Sequence, residues 1–191
     1  MGENSGMNYY GAKELAASFR TVRKNTVRVA EDIPEEKYSF QAGEGTRTVA
    51  QMLAHIALST HFSTMVHAVE PRLSNFEGFD FETAFTEFER KEKQPRTKAE
   101  LIELLKSEGE KYASWLENVP EDVFAERVQM PDQTSKSRFE MILGTKEHEM
   151  HHRAQLMVLE RMLGITPHLT RDMEERMKEM MAAKAKAKTT A

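Results

Sequence analysis

The sequence predicts an all-α protein, most simply a four-helix bundle, and three observations lead there. Four long segments carry apolar residues at three- and four-residue steps, the spacing of a one-sided helical stripe. The prolines fall between these segments and never inside them. No stretch reads convincingly as a strand, and no internal repeat is visible.

The first helix is expected from about Ala12 to Glu31, with Leu15, Phe19, Val22, Thr26 and Val29 along one side. It stops before Ile33-Pro34, because a proline disfavours helical geometry in the residue before it. Residues 34–46 then read as a loop. The second helix opens at Thr48, where Thr48 and Gln51 fit a capping box, and runs to about Val69 before Glu70-Pro71. Its two neighbouring apolar stripes, one of them holding His55, indicate a helix surrounded on most sides. Between residues 71 and 96, Phe79, Phe81, Phe85 and Phe88 suit a short helix over the core, and the run ERKEK reads as its solvated end.

Thr97 and Glu100 form a second capping box and open the third long helix, which reaches about Asn118. Trp115 on its apolar side reads as a core ring rather than a substrate-stacking one. After a connection holding Pro131 and DQTSKS, the fourth long helix runs from near Ser137 to Leu163, with Gly164 in the place of a left-handed C′ residue. A polar terminal helix over 170–183 and a fraying basic end, KAKAKTTA, complete the chain.

At 191 residues the chain is expected to form one domain, with a bundle core over about 8–166 and an extension over 170–191. The formal charge of -4, from 27 basic and 31 acidic side chains, argues against a nucleic-acid partner, which needs clustered Lys and Arg. There is no cysteine, which excludes disulfides, thiolate-bound zinc and a cysteine nucleophile. MGENSGMNYY has neither a basic start nor an apolar run, and nothing approaches the roughly 20 apolar residues of a membrane span. A cytoplasmic protein without membrane contact is the expectation.

Chemistry concentrates at residues 148–152, HEMHH. His148 and His152 lie four apart, roughly 40° from each other around a helix, so two imidazoles can converge on one ion. Continuing the steps leads to Leu156, Leu159 and Leu163, which points the pair toward the bundle. His55, on a stripe with Met52, Ser59, Phe62 and Val66, is the best third ligand. His151 falls about 100° away, toward the flank. His61, His67 and His168 read as surface residues, and Glu149 as facing a neighbouring helix or solvent. HEMHH also satisfies H-E-x-x-H, the helix of zinc peptidases, but the metzincin continuation after His152 is missing. Ser59 and Gln155 are the further polar groups on the histidine faces.

TVAQMLAHI (48–56) resembles the second-helix motif of the DinB/YfiT-like metal-binding proteins. GTKEHEMHHRAQLMVLERMLGI (144–165) resembles their fourth-helix H-x-x-x-H-x-x-Q segment, and IPEEKYSF is similar to the loop before their second helix. The resemblance covers most of residues 8–166. Ala154 departs from the glycine many relatives carry there. The resemblance implies an up-down-down-up four-helix bundle, a homodimer, and a divalent ion on His55, His148 and His152. Arg153 and Gln155 match motif positions without an implied role.

An all-imidazole site suits zinc or nickel first, with iron, copper or manganese behind them. The expected function is a metal-dependent enzyme of the thiol S-transferase or hydrolase type. It would act on a small molecule, with a low-molecular-weight thiol as a candidate partner. The competing class is a non-enzymatic metal- or ligand-binding bundle.

Overall fold

The computed structural model describes residues 10–189. Residues 1–9 of the amino-terminal stretch read for a leader, and the last two residues of the basic end, lie outside them.

Four long helices form the bundle: α1 (Ala12–Asp32), α2 (Val49–His67), α4 (Lys98–Glu117) and α6 (Arg138–Met162). The capping boxes of Thr48 and Thr97 form as expected, and Ser137 makes a third with Glu140 at the start of α6. At the far end of α6, Gly164 adopts φ 79°. Its N–H reaches Arg161 O and that of Ile165 reaches Glu160 O, the paired bonds of a Schellman stop.

α1 packs on α4 and α6, and α2 on the same two helices, so α1 and α2 lie diagonally across the bundle. Directions follow from which ends meet. Tyr10 before α1 packs edge-on against Phe139 at the start of α6, so these two run parallel. Lys98 at the start of α4 reaches Glu31 O and Ile33 O beyond the end of α1, and Arg138 at the start of α6 contacts His67 at the end of α2. The order is up-down-down-up. Two consecutive parallel helices, α2 and α4, need a long crossover between them. Residues 68–97 supply it, and within it lies α3 (Phe81–Glu92).

One apolar cluster fills the end of the bundle around Ile33, Leu53, Ile56, Leu105 and Leu156, and a second fills the other end around Phe19, Tyr112, Leu116 and Ile142. Trp115 packs half-buried against the second, as a core ring. Between the clusters runs a polar belt. Arg23 donates to Glu149 through Nε and Nη2 at 2.9 Å each, and to the carbonyls of Leu105 and Ile56 at 2.7 and 3.3 Å. Thr26 donates to the same carboxylate at 2.7 Å. One guanidinium on α1 therefore touches α2, α4 and α6. Gly109 makes room for it, since a Cβ there would meet Arg23 Cγ at 2.6 Å.

Several expectations are corrected. The connection after α4 holds α5 (Glu121–Ala125) and a short antiparallel hairpin, β1 (Arg127–Gln129) with β2 (Ser135–Ser137). Three residues per strand are too few to show alternation. The terminal helix α7 runs from His168 to Thr189, longer than expected and continuing into the lysine-rich end. His67 and His168 are buried, not on the surface. Arg138 Nη1 donates to His67 Nδ1 at 3.2 Å, and burial followed by that guanidinium lowers the imidazole to about 4. His168 opens α7 where it docks on α1, beside Asn25 and the Arg28–Asp172 pair. No helix among the described residues is long and apolar enough to cross a membrane.

Glu160 on α6 is fully buried, and neither carboxylate oxygen has a hydrogen-bond partner among the described residues. Burial first, then Asp32, raises it from 4.5 to about 7, against the lowering pull of Arg171 and Arg161. A carboxyl raised in the folded state holds its proton there longer than in the unfolded chain. Its contribution is thus lost as pH climbs from 4.5 through 7, by on the order of 2–3 kcal/mol. Glu160→Gln is expected to flatten that decline, read by urea unfolding at pH 5 and pH 8. An unaltered pH dependence would assign the decline elsewhere.

Candidate metal centre

His148 and His152 stand on successive turns of α6, and His55 faces them from the second turn of α2. Their Nε2 atoms converge: His148 lies 3.2 Å from His55 and 3.1 Å from His152. Two nitrogens roughly 2.0–2.1 Å from one ion, at angles between octahedral and tetrahedral, sit roughly 2.8–3.4 Å apart. The observed separations fall inside that range. Among the described residues this is the one group of three such side chains close enough to hold an ion.

The outer nitrogens explain the orientation. His55 Nδ1 donates to Glu92 Oε2 at 2.9 Å, and His152 Nδ1 donates to Gln155 Oε1 at 2.8 Å. Protons held at Nδ1 leave lone pairs on Nε2, both aimed at the third ring. Imidazoles arranged this way suit a cation between them, and the outer hydrogen bonds fix ring and tautomer as metal sites require. Burial, followed by the neighbouring rings, lowers His148 to about 4, and burial likewise lowers His152. Both are neutral at pH 7, the state that binds metal.

Glu92 is the residue that sequence reasoning missed. ERKEK looked solvated, yet its fourth residue is 5% exposed on the last turn of α3. Its second oxygen, Oε1, accepts from Arg47 Nε at 2.6 Å. Burial pushes this carboxyl up, but the hydrogen bonds from His55 and Arg47 prevail and hold it below its ordinary value. Phe88, one turn earlier, packs edge-on against His55 with centroids 5.3 Å apart. A signal existed: Phe81, Phe85, Phe88 and Glu92 follow steps of four, three and four. Glu92→Ala is expected to weaken metal binding on the order of 10–100-fold, measured by competition with a chromogenic chelator. Equal affinities would remove Glu92 from the site.

Other candidates separate cleanly. His151 is exposed, as expected, and touches the amide of Gln155 at 3.1 Å. Ser59 bonds its own helix at Ile56 O and takes no part. Glu149 faces α1, where Arg23 and Thr26 hold its oxygens. The H-E-x-x-H reading therefore lacks its base. Beside His152 opens a cleft of about 830 Å³, lined by Arg47, Gln51, Lys93, Gln155 and Leu159 among others.

A bundle of this topology with three histidines converging from two helices, α2 and α6, defines a class of candidate metalloproteins. The DinB family model matches residues 1–183, and the chain belongs to that family. YjoA of Bacillus subtilis is 24% identical over 161 residues, covering 81% of this chain and 92% of YjoA. The crystal structure of YjoA superposes with a TM-score of 0.59. YfiT of the same organism, described as a probable metal-dependent hydrolase with an unusual four-helix bundle topology, superposes with a TM-score of 0.61 at 14% identity, over 87% of this chain and 95% of YfiT. The mycothiol-dependent maleylpyruvate isomerase shares the fold at TM-score 0.58 and 14% identity, over 77% of this chain and 61% of its own.

One further neighbour corrects an expectation. The colibactin self-resistance protein ClbS, with TM-score 0.58 and 16% identity over 78% of this chain and 95% of its own, is crystallised in complex with double-stranded DNA. The exclusion of nucleic acid from net charge therefore fails for this fold. A sum over the whole surface carries no information about a local basic face.

Proposed function

We propose that the chain is a divalent-metal-dependent enzyme of the thiol-transferase or hydrolase type, acting on a small molecule beside His55, His148 and His152. The observation that carries this reading is the convergence of three Nε2 atoms, two of them fixed from behind by Glu92 and Gln155. With a divalent ion held there, the site would gain Lewis-acid chemistry able to bring the pKa of a water or thiol into the physiological range. The chain's own groups do the rest. The three imidazoles hold the ion through Nε2, Phe88 and Glu92 cover His55 from α3, and the cleft beside His152 receives the substrate. Zinc or nickel suits the donor set best.

With no cysteine in 191 residues, a thiol nucleophile must come from outside the chain. The YfiT neighbour supports the hydrolase branch and the mycothiol-dependent isomerase the thiol branch. The test is elemental analysis of the purified protein, followed by turnover of the loaded protein on two panels: model electrophiles with glutathione-like or other bacterial thiols, and esters and amides. Activity in one panel selects the branch. One bound ion per chain without turnover in either would leave a metal-binding bundle and end the enzyme reading.

A further inference from the structure

We propose that the cleft beside His152 holds its ligand by a carboxylate, clamped on the two Nη groups of Arg47. This rests on the metal-dependent reading above and adds the substrate class to it.

Arg47 stands immediately before Thr48, whose capping box fixes the backbone at the start of α2. Its Nε is anchored on Glu92 Oε1 at 2.6 Å, and the other oxygen of that carboxylate holds His55. A guanidinium is a rigid plane, so fixing one edge aims the others. Nη1 and Nη2 donate to nothing among the described residues, and the side chain is 39% exposed where it lines the cleft.

The other cation on the cleft wall and the oxygens of two amides are already engaged. Lys93 pairs with Glu89 at 2.7 Å, Gln51 serves the α2 cap, and Gln155 serves His152 and His151. The Arg47 fork is therefore the free charged donor facing this space. Two parallel N–H groups at fixed spacing match the two oxygens of a carboxylate. A cleft of about 830 Å³ takes a small organic molecule. The same Glu92 links the fork to His55, so the clamp stands in fixed register with the histidine centre. The ligand this arrangement selects carries a carboxylate at one end and its reacting sulfur or carbonyl at the other.

The test compares acids with their uncharged amides on protein loaded with Ni²⁺ and its ion content measured. The first pair is 3-mercaptopropionate and 3-mercaptopropionamide, followed by the thiolate-to-metal charge-transfer band. The second is glutarate and glutaramide, followed by calorimetry, which needs no thiol. Wild type is expected to prefer the acid by about ten-fold or more in both pairs. Arg47→Gln, at equal ion content, should bring that ratio near one, and Arg47→Lys should restore only part of it. A preference that survives Arg47→Gln, or no preference in either pair, overturns the clamp. If no charge-transfer band forms with either thiol, the thiol branch of the proposed function fails, and the glutarate pair still decides the clamp.

Discussion

His148→Ala is expected to lower divalent-metal affinity on the order of 10²–10³-fold, the share of one ligand in a site worth about 10–16 kcal/mol when fully built. His148 is the sharpest choice because its Nε2 is within 3.2 Å of both partners, so removing it leaves His55 and His152 without a shared neighbour. The fold should persist. The ring is half-buried at the α2–α6 face, and its loss opens no cavity in either main apolar cluster. Two readouts are needed: ions per chain after gel filtration, and the melting temperature with and without chelator. Wild type should lose stability when the ion is removed, because an ion bound only to the native state stabilises it. The variant should melt at one temperature in both conditions. Full metal content in His148→Ala would dissolve the centre.

Arg23→Met is expected to destabilise the chain by about 3–5 kcal/mol, the cost of leaving a buried charge without its partner. Arg23 and Glu149 are 4% and 1% exposed, so the variant leaves a buried carboxylate with Thr26 as its remaining donor. The carbonyls of Leu105 and Ile56 lose a donor as well. Pairing Arg23→Met with Glu149→Leu should recover most of the loss, since replacing both partners by apolar groups is often close to neutral. Urea unfolding of the four-member cycle gives the coupling, and strictly additive costs would deny it. Gly109→Ala offers an independent approach from α4, because its methyl group would displace the Arg23 stem.

What could be read from residues alone was local. Thr48 with Gln51, Thr97 with Glu100, and Gly164 each set a helix end within a few positions, and those ends stand where expected. His148 and His152 lie one turn apart, and His55 shares a stripe with Met52 and Val66, so the triad followed from period and family motif together. The misses depend on distant partners. His67 is buried because Arg138, 71 residues away, covers it. Glu92 reads as solvent-facing until His55 and Arg47 are brought to it, from α2 and from the residue before the α2 cap. Arg23 sits between Phe19 and Thr26 on a buried face, a placement without sense until Glu149 arrives from 126 positions further on.

The crossover between α2 and α4 has a consequence for how such proteins diversify. Two neighbouring rods running the same way force the chain to travel back along the bundle, and here that return strand of sequence lies over the very groove where ligands would enter. Exchange at Glu89 and Lys93, which line the cleft, would therefore change what is admitted while Glu92 and the three histidines keep their places. Families built with short hairpin connections have no such ceiling to remodel.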